Sequence, residues 1–193
     1  MLGMELRKKY KSGSAAEIIR DAILSGDISG EIVQNDFADS LGVSRIPVRE
    51  ALITLEYHGL IEKLQNQHVR IINLDYTSIK NVFVDMSLLE LEAVKNLSDD
   101  KLEHLSSITD QADFHRQVYK NAASPLRRNF LKIVTETYII FTLEHSDCEQ
   151  INPAFETLRC SLKDFDALRV NYAVYAEVLA SELINIRRAR EEE

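Results

Sequence analysis

Two arginines, Arg45 and Arg49, stand four residues apart in the stretch Leu41-Gly42-Val43-Ser44-Arg45-Ile46-Pro47-Val48-Arg49-Glu50-Ala51-Leu52. On a helix that spacing puts both guanidinium groups on one face, one turn apart. A guanidinium is a rigid fork of donors that matches guanine edges and phosphate oxygens in a DNA major groove. Other groups of similar use lie nearby. Ser44 and Pro47 stand at the start of the same segment, Asn35 begins the segment before it, and His68 and Arg70 follow downstream.

The elements that must hold these side chains are legible from local pattern. Ser14-Ala15-Ala16-Glu17 is a capping box, with Ser14 as the N-cap and Glu17 returning the bond. Ala15, Ile18, Ile19, Ala22 and Ile23 then form one apolar face, and Ser25-Gly26 stops the helix. A second, short helix is expected from about Asn35 to Leu41, burying Phe37, Ala38 and Leu41, with Gly42 supplying a left-handed turn. Ser44 is the natural N-cap of the third helix, and Pro47 falls in its first turn, where a missing N–H loses no intrahelical bond. Val48, Ala51, Leu52 and Leu55 form its buried stripe, leaving Arg45 and Arg49 on another face. After His58-Gly59, Leu60 to Leu64 and His68 to Leu74 read as two short strands joined at Asn66-Gln67. Three helices and a hairpin make a winged helix-turn-helix over residues 1–74.

The charge balance restricts how such a domain would work. The chain of 193 residues carries a formal net charge of −8, and residues 1–75 hold 9 Lys and Arg against 11 Asp and Glu. A positive field therefore has to be local, built by Arg45, Arg49, Lys63 and Arg70, with Arg7, Lys8, Lys9 and Lys11 adding to it. That suits recognition of a specific site better than indiscriminate coating of phosphates. No apolar run is long enough to span a bilayer, and the basic, polar stretch from Met1 to Ser12 lacks an apolar signal-peptide core. Cys148 and Cys160 form no zinc or redox pattern and read as reduced thiols, so the expected location is the cytoplasm.

Beyond Tyr76 nothing alternates like a strand. Ile79, Val82, Phe83 and Met86 begin one helical face, Leu102, Leu105 and Ile108 a second, and Phe114 with Val118 a third. Ser124-Pro125 opens a helix through Phe130, Leu131, Val134 and Tyr138, and Asn152-Pro153 opens another. The last long helix carries Tyr172, Tyr175, Val178, Leu179 and Leu183. The expected fold class is mainly α, with an all-α antiparallel bundle over residues 75–193.

The run from Leu41 to Leu52, followed by Leu55-Glu56 and Gly59-Leu60-Ile61, resembles the recognition-helix signature of GntR-family bacterial transcription regulators. The resemblance covers about residues 10–74. It implies that Arg45 and Arg49 contact an operator and that the hairpin tip enters the minor groove. Two positions depart from the family pattern. Asn35 stands where many members have arginine, and Asn66-Gln67-His68 replaces the usual Gly-rich wing tip. The stretch Asp113-Phe114-His115-Arg116-Gln117-Val118-Tyr119, then Asn121-Ala122-Ala123-Ser124-Pro125-Leu126, resembles the FadR-type C-terminal (FCD) effector bundle in a shortened form of about 118 residues.

That resemblance implies a divalent-metal site of one aspartate and three histidines, which here is degraded. His115 matches the first histidine, but Gln111 stands at the aspartate position, Glu156-Thr157 replaces a Glu-His pair, and Tyr175 falls near the last histidine. Asp110, five residues before His115, lies about 140° around the helix from it and is a poor substitute. One histidine does not hold a transition metal, so no metal and no cofactor are expected. His115, Gln111, Thr157 and Tyr175, with Tyr172, are candidates to line a metal-free effector pocket, a small organic acid being the expected ligand. The alternative for His115 is a hydrogen-bonded interior residue.

No enzyme is expected. A Gly-rich phosphate loop, a nucleophile elbow and a paired-histidine metal motif are missing from the sequence, and His58, His68, His104, His115 and His145 are scattered. The expected function is a repressor that binds a two-fold related double-stranded DNA operator as a homodimer. In the alternative reading the bundle serves only dimerisation or protein–protein contact and has lost its effector.

Overall fold

The computed structural model describes residues 14–65 and 68–191. The chain divides into two compact units, one running to Leu74 and taking in the chain end from Arg187, the other spanning Asp75–Ile186.

In the first unit, α1 (Ala15–Leu24) begins at the expected capping box: Ser14 Oγ accepts from the Glu17 N–H at 3.2 Å, and Glu17 Oε2 accepts from the Ser14 N–H at 2.8 Å. Its C-terminal carbonyls, Ile23 at 2.6 Å and Leu24 at 3.1 Å, accept from Arg187 Nη1, which satisfies acceptors that no helical N–H reaches. β1 (Glu31–Val33) leads into α2 (Gln34–Leu41), which ends at Gly42 with φ 67° and ψ 34°, the left-handed geometry expected of it. α3 (Arg45–Tyr57) follows after Gly42, Val43 and Ser44 and buries Val48, Ala51, Leu52 and Leu55. β2 (Ile61–Lys63) and β3 (His68–Ile71) form the hairpin.

Two details differ from the sequence reading. The sheet has three strands in the order β1-β3-β2, all antiparallel, with Ile32 opposite Val69 and Lys63 opposite Val69 from the other side. A three-residue strand has too little alternation to be recognised from sequence, and only its pairing with β3 defines it. Ser44 does take the N-cap position of α3 in extended backbone, but its hydroxyl makes no capping bond. The expected burial of the Leu41 side chain and the wing tip at Asn66-Gln67 lie outside the described residues, as does the basic stretch Arg7 to Lys11.

The second unit is all helix: α4 (Tyr76–Lys95), α5 (Asp99–Ser107), α6 (Gln111–Lys120), α7 (Pro125–Val134), α8 (Ile140–His145), α9 (Ile151–Cys160) and α10 (Phe165–Glu191), whose end from Arg187 counts with the first unit. Side chains cap several starts, with Asp75 accepting from Ser78 N–H, Asp110 from Asp113 N–H and Ser124 from Arg127 N–H. Asp110 is thereby committed to the helix end. α9 starts one residue before Asn152, with no side-chain cap. Between α7 and α8 the helix widens into one π-turn, Thr135–Ile139. The core includes Phe83, Phe114, Phe141, Phe155, Tyr172 and Tyr175. None of the helices among the described residues is long and apolar enough to cross a membrane.

Candidate nucleic-acid interface and interior polar network

α3 presents Arg45 and Arg49 on its exposed face, because its opposite face is held in the core by Val48, Ala51, Leu52 and Leu55. Neither arginine makes an ion pair among the described residues. They line a groove of ≈ 640 Å³ together with Asn35, Ile46, Lys63 and His68. The groove is bounded by α3, the start of α2 and the hairpin strands, so three elements bring five of the polar groups to one surface. Ser44 is exposed at the N-terminus of α3, and Pro47 fills the third helical position. Ile46 is 69% exposed beside the two arginines.

The other expected cations are partly engaged. His68 Nδ1 lies 2.7 Å from Glu31 Oε1 on the neighbouring strand, and Lys63 is paired with Glu56. Arg70 stands apart from the groove, donating to Glu62 Oε1 at 2.7 Å on the adjacent strand. Register explains this: Arg70 sits opposite both Glu31 and Glu62, a carboxylate on each side. The cation count of the sequence therefore overstates the free positive charge on this unit.

Inside the second unit, His115 is fully buried and both ring nitrogens are engaged. Nδ1 faces the carboxylate of Glu90 at 2.8 and 2.9 Å, and Nε2 lies 3.1 Å from Tyr175 Oη. The Tyr175 hydroxyl donates to Gln111 Oε1 at 2.8 Å, and Gln111 Nε2 donates to Asn152 Oδ1 at 2.8 Å. The His115 ring also stacks on Tyr175, with centroids 5.5 Å apart. Four helices, α4, α6, α9 and α10, are thus tied by one polar chain. Burial, and after it the Glu90 carboxylate, pushes the Tyr172 and Tyr175 phenols well above their usual range, so both carry their protons at neutral pH. Among the described residues Thr135 Oγ1 is buried without a hydrogen-bond partner, and the buried Tyr172 hydroxyl has the Glu90 carboxylate as its polar neighbour.

Of the four expected effector residues, the structure joins His115, Gln111 and Tyr175. It does not join Thr157, which is exposed on α9 with its hydroxyl bonded back to the Pro153 carbonyl at 2.9 Å. Sequence reasoning missed Glu90. A signal was available: Glu90 follows Phe83 and Met86 by seven and four residues, an acidic side chain on the buried stripe of α4. The metal implied by the family resemblance does not fit these residues. Around His115 the donors are one carboxylate, an amide and a phenol, and no group of three His, Cys, Asp or Glu side chains converges among the described residues.

Comparisons with known proteins agree with the geometry of the first unit. Residues 11–71 match the family of bacterial regulatory proteins named gntR. No curated protein matches the chain. Among solved structures, E. coli McbR/YncC is similar at 15% identity and a TM-score of 0.52, over 98% of this chain and 99% of that one. Lar, described as controlling expression of the agr system of Listeria monocytogenes and mediating virulence, is similar at 16% identity and a TM-score of 0.55, over 89% and 95%. At these identities the structures show a shared fold. The family match is what assigns the domain: residues 11–71 are a GntR-family helix-turn-helix domain.

Proposed function

We propose that the chain acts as a homodimer on a two-fold related operator and represses by occupying it, with the α3 groove reading the DNA. The observation that carries this is the exposed, unpaired Arg45–Arg49 face in one groove with Asn35, Lys63 and His68. A single winged helix reads few base pairs, and pairing two of them across a two-fold axis supplies site length and affinity. In this reading Ser44 and Asn35 position the backbone, Pro47 holds the first turn of α3, and His68 lies at the wing. Arg70, already paired with Glu62, has a lesser part.

The helical unit would carry the pairing and, as an FCD-like bundle, the response to a metal-free effector. His115, Gln111 and Tyr175 would face it, with Glu90 and Tyr172 in place of Thr157. A specific observation supports the second reading, a bundle without effector: both nitrogens of His115 already have partners, as in a purely structural interior histidine.

The test is binding of Arg45→Ala, Arg49→Ala and Arg70→Ala variants to operator fragments selected with the wild-type protein. Losing a bidentate guanine contact costs about 1–3 kcal/mol, or roughly 5- to 150-fold in Kd, with relaxed preference at one base pair. Arg70→Ala is expected to change affinity much less. Wild-type affinity in both Arg45→Ala and Arg49→Ala would refute the assigned face.

A further inference from the structure

α4 and α10 lie side by side and antiparallel within the helical unit. Ser87 Oγ approaches the Tyr172 carbonyl at 3.3 Å, and two turns away Lys80 Nζ meets Glu177 Oε2 at 2.6 Å. Beside this pairing, the exposed side of α10 is apolar between Arg169 and Glu177. Val170 is 56% exposed and Val174 51%, and the two are spaced four apart on one side of α10. With Ala173 and Val178 they line a shallow groove whose two ends are marked by Arg169 and Glu177. Valines left half in water along one side of α10 form a surface that gains free energy when covered.

We infer that this face is covered by the same face of a second copy of the chain, so that α10 crosses its two-fold mate near Ala173. This rests on the dimeric reading above and locates it. The argument is the order of groups along α10. Arg169 and Glu177 lie four residues to either side of Ala173, so a two-fold axis through Ala173 brings Arg169 of each copy toward Glu177 of the other. An isologous interface must be complementary to itself, and here opposite charges coincide under that operation. Ala173, with only a methyl group, lets two helix backbones approach at the crossing point. Arg169 has no ion-pair partner within the chain among the described residues, whereas Glu177 is held by Lys80 and by the Tyr76 hydroxyl, which keep its carboxyl below the usual range and charged. The interface therefore meets an anchored anion with an unpaired cation, at the rim of a valine patch.

Sedimentation equilibrium of the full chain tests this. The wild type is expected at twice the chain mass, and Val174→Asp at the mass of one chain with the circular dichroism of the wild type. Arg169→Glu and Glu177→Arg are each expected to weaken the dimer at least tenfold, and the variant that combines both with Lys80→Glu to restore it, since swapping all three charges recreates the ion pairs of residue 177 within and between the copies. The swap decides the matter should Val174→Asp not fold. A wild type that is monomeric on its own and on operator DNA would overturn both the dimeric reading and this face. A wild-type dimer that persists in Val174→Asp, or whose charge variants show no rescue, would leave dimerisation standing and refute the α10 crossing.

Discussion

Replacing His115 by leucine tests whether the interior polar chain is a coupled unit. Glu90 and His115 are both fully buried, and the imidazole Nδ1 is the donor facing both oxygens of the Glu90 carboxylate. In His115→Leu that carboxylate stays in the core, with the Tyr172 hydroxyl as the remaining polar group close to it. Breaking a buried pair from one side costs about 3–5 kcal/mol, a large part of the roughly 5–15 kcal/mol that holds a typical protein folded. Glu90→Leu removes the buried carboxyl group and leaves the imidazole Nδ1–H without an acceptor, costing about 1–3 kcal/mol. The double variant takes both groups out of the core together. Its Tyr175 hydroxyl still donates to Gln111, so its cost should fall below the sum of the two singles by about 1–3 kcal/mol. Urea unfolding followed by far-ultraviolet circular dichroism reports mainly on the helices of this unit, and an unchanged dependence on urea would certify comparable transitions. If His115→Leu loses less than about 1 kcal/mol, or if the two singles add to within about 0.5 kcal/mol, the pair is not the coupled element described above.

Three further outcomes are expected. Ser14→Ala removes the hydroxyl half of the α1 capping box, leaving the residue-14 backbone N–H to donate to Glu17, and should cost about 1 kcal/mol in thermal or urea unfolding. The same box has a pH signature: the Ser14 backbone N–H first, then its hydroxyl, holds the Glu17 carboxyl below its ordinary value of 4.5. The unfolded chain then binds more protons than the folded one as pH falls, so this contribution is complete above pH 4.5 and disappears as pH drops through the folded value. Stability of Glu17→Gln, which carries no titrating group there, should approach that of the wild type in that range, and a constant difference down to the lowest folded pH would contradict the assignment. Elemental analysis of purified protein is expected to find far less than one transition-metal ion per chain, with chelator leaving the melting temperature unchanged. Stoichiometric zinc, nickel or manganese that is lost in His115→Ala would mean that ligands converge on His115 in a way these donors do not show.

What the sequence determined by itself is local in origin. The capping box at Ser14 and Glu17, the left-handed stop at Gly42, the proline in the first turn of α3 and the arginine pair each depend on residues within a turn or two, where spacing alone dictates geometry. The apolar stripe of α3 already decided which face Arg45 and Arg49 would present. Matters that depend on residues far apart in the chain waited for the tertiary structure. β1 exists through its pairing with β3, some thirty-five residues away, and that pairing also places carboxylates on both sides of Arg70. Thr157 reads as a pocket residue by position, yet the rotation of α9 in its packing turns it to solvent. Glu90 looks like an interruption of an apolar stripe until α6, twenty-five residues on, brings His115 against it. A buried acid and a buried imidazole are each costly alone, and which partner neutralises that cost is a property of helix packing, which periodicity along one helix does not contain.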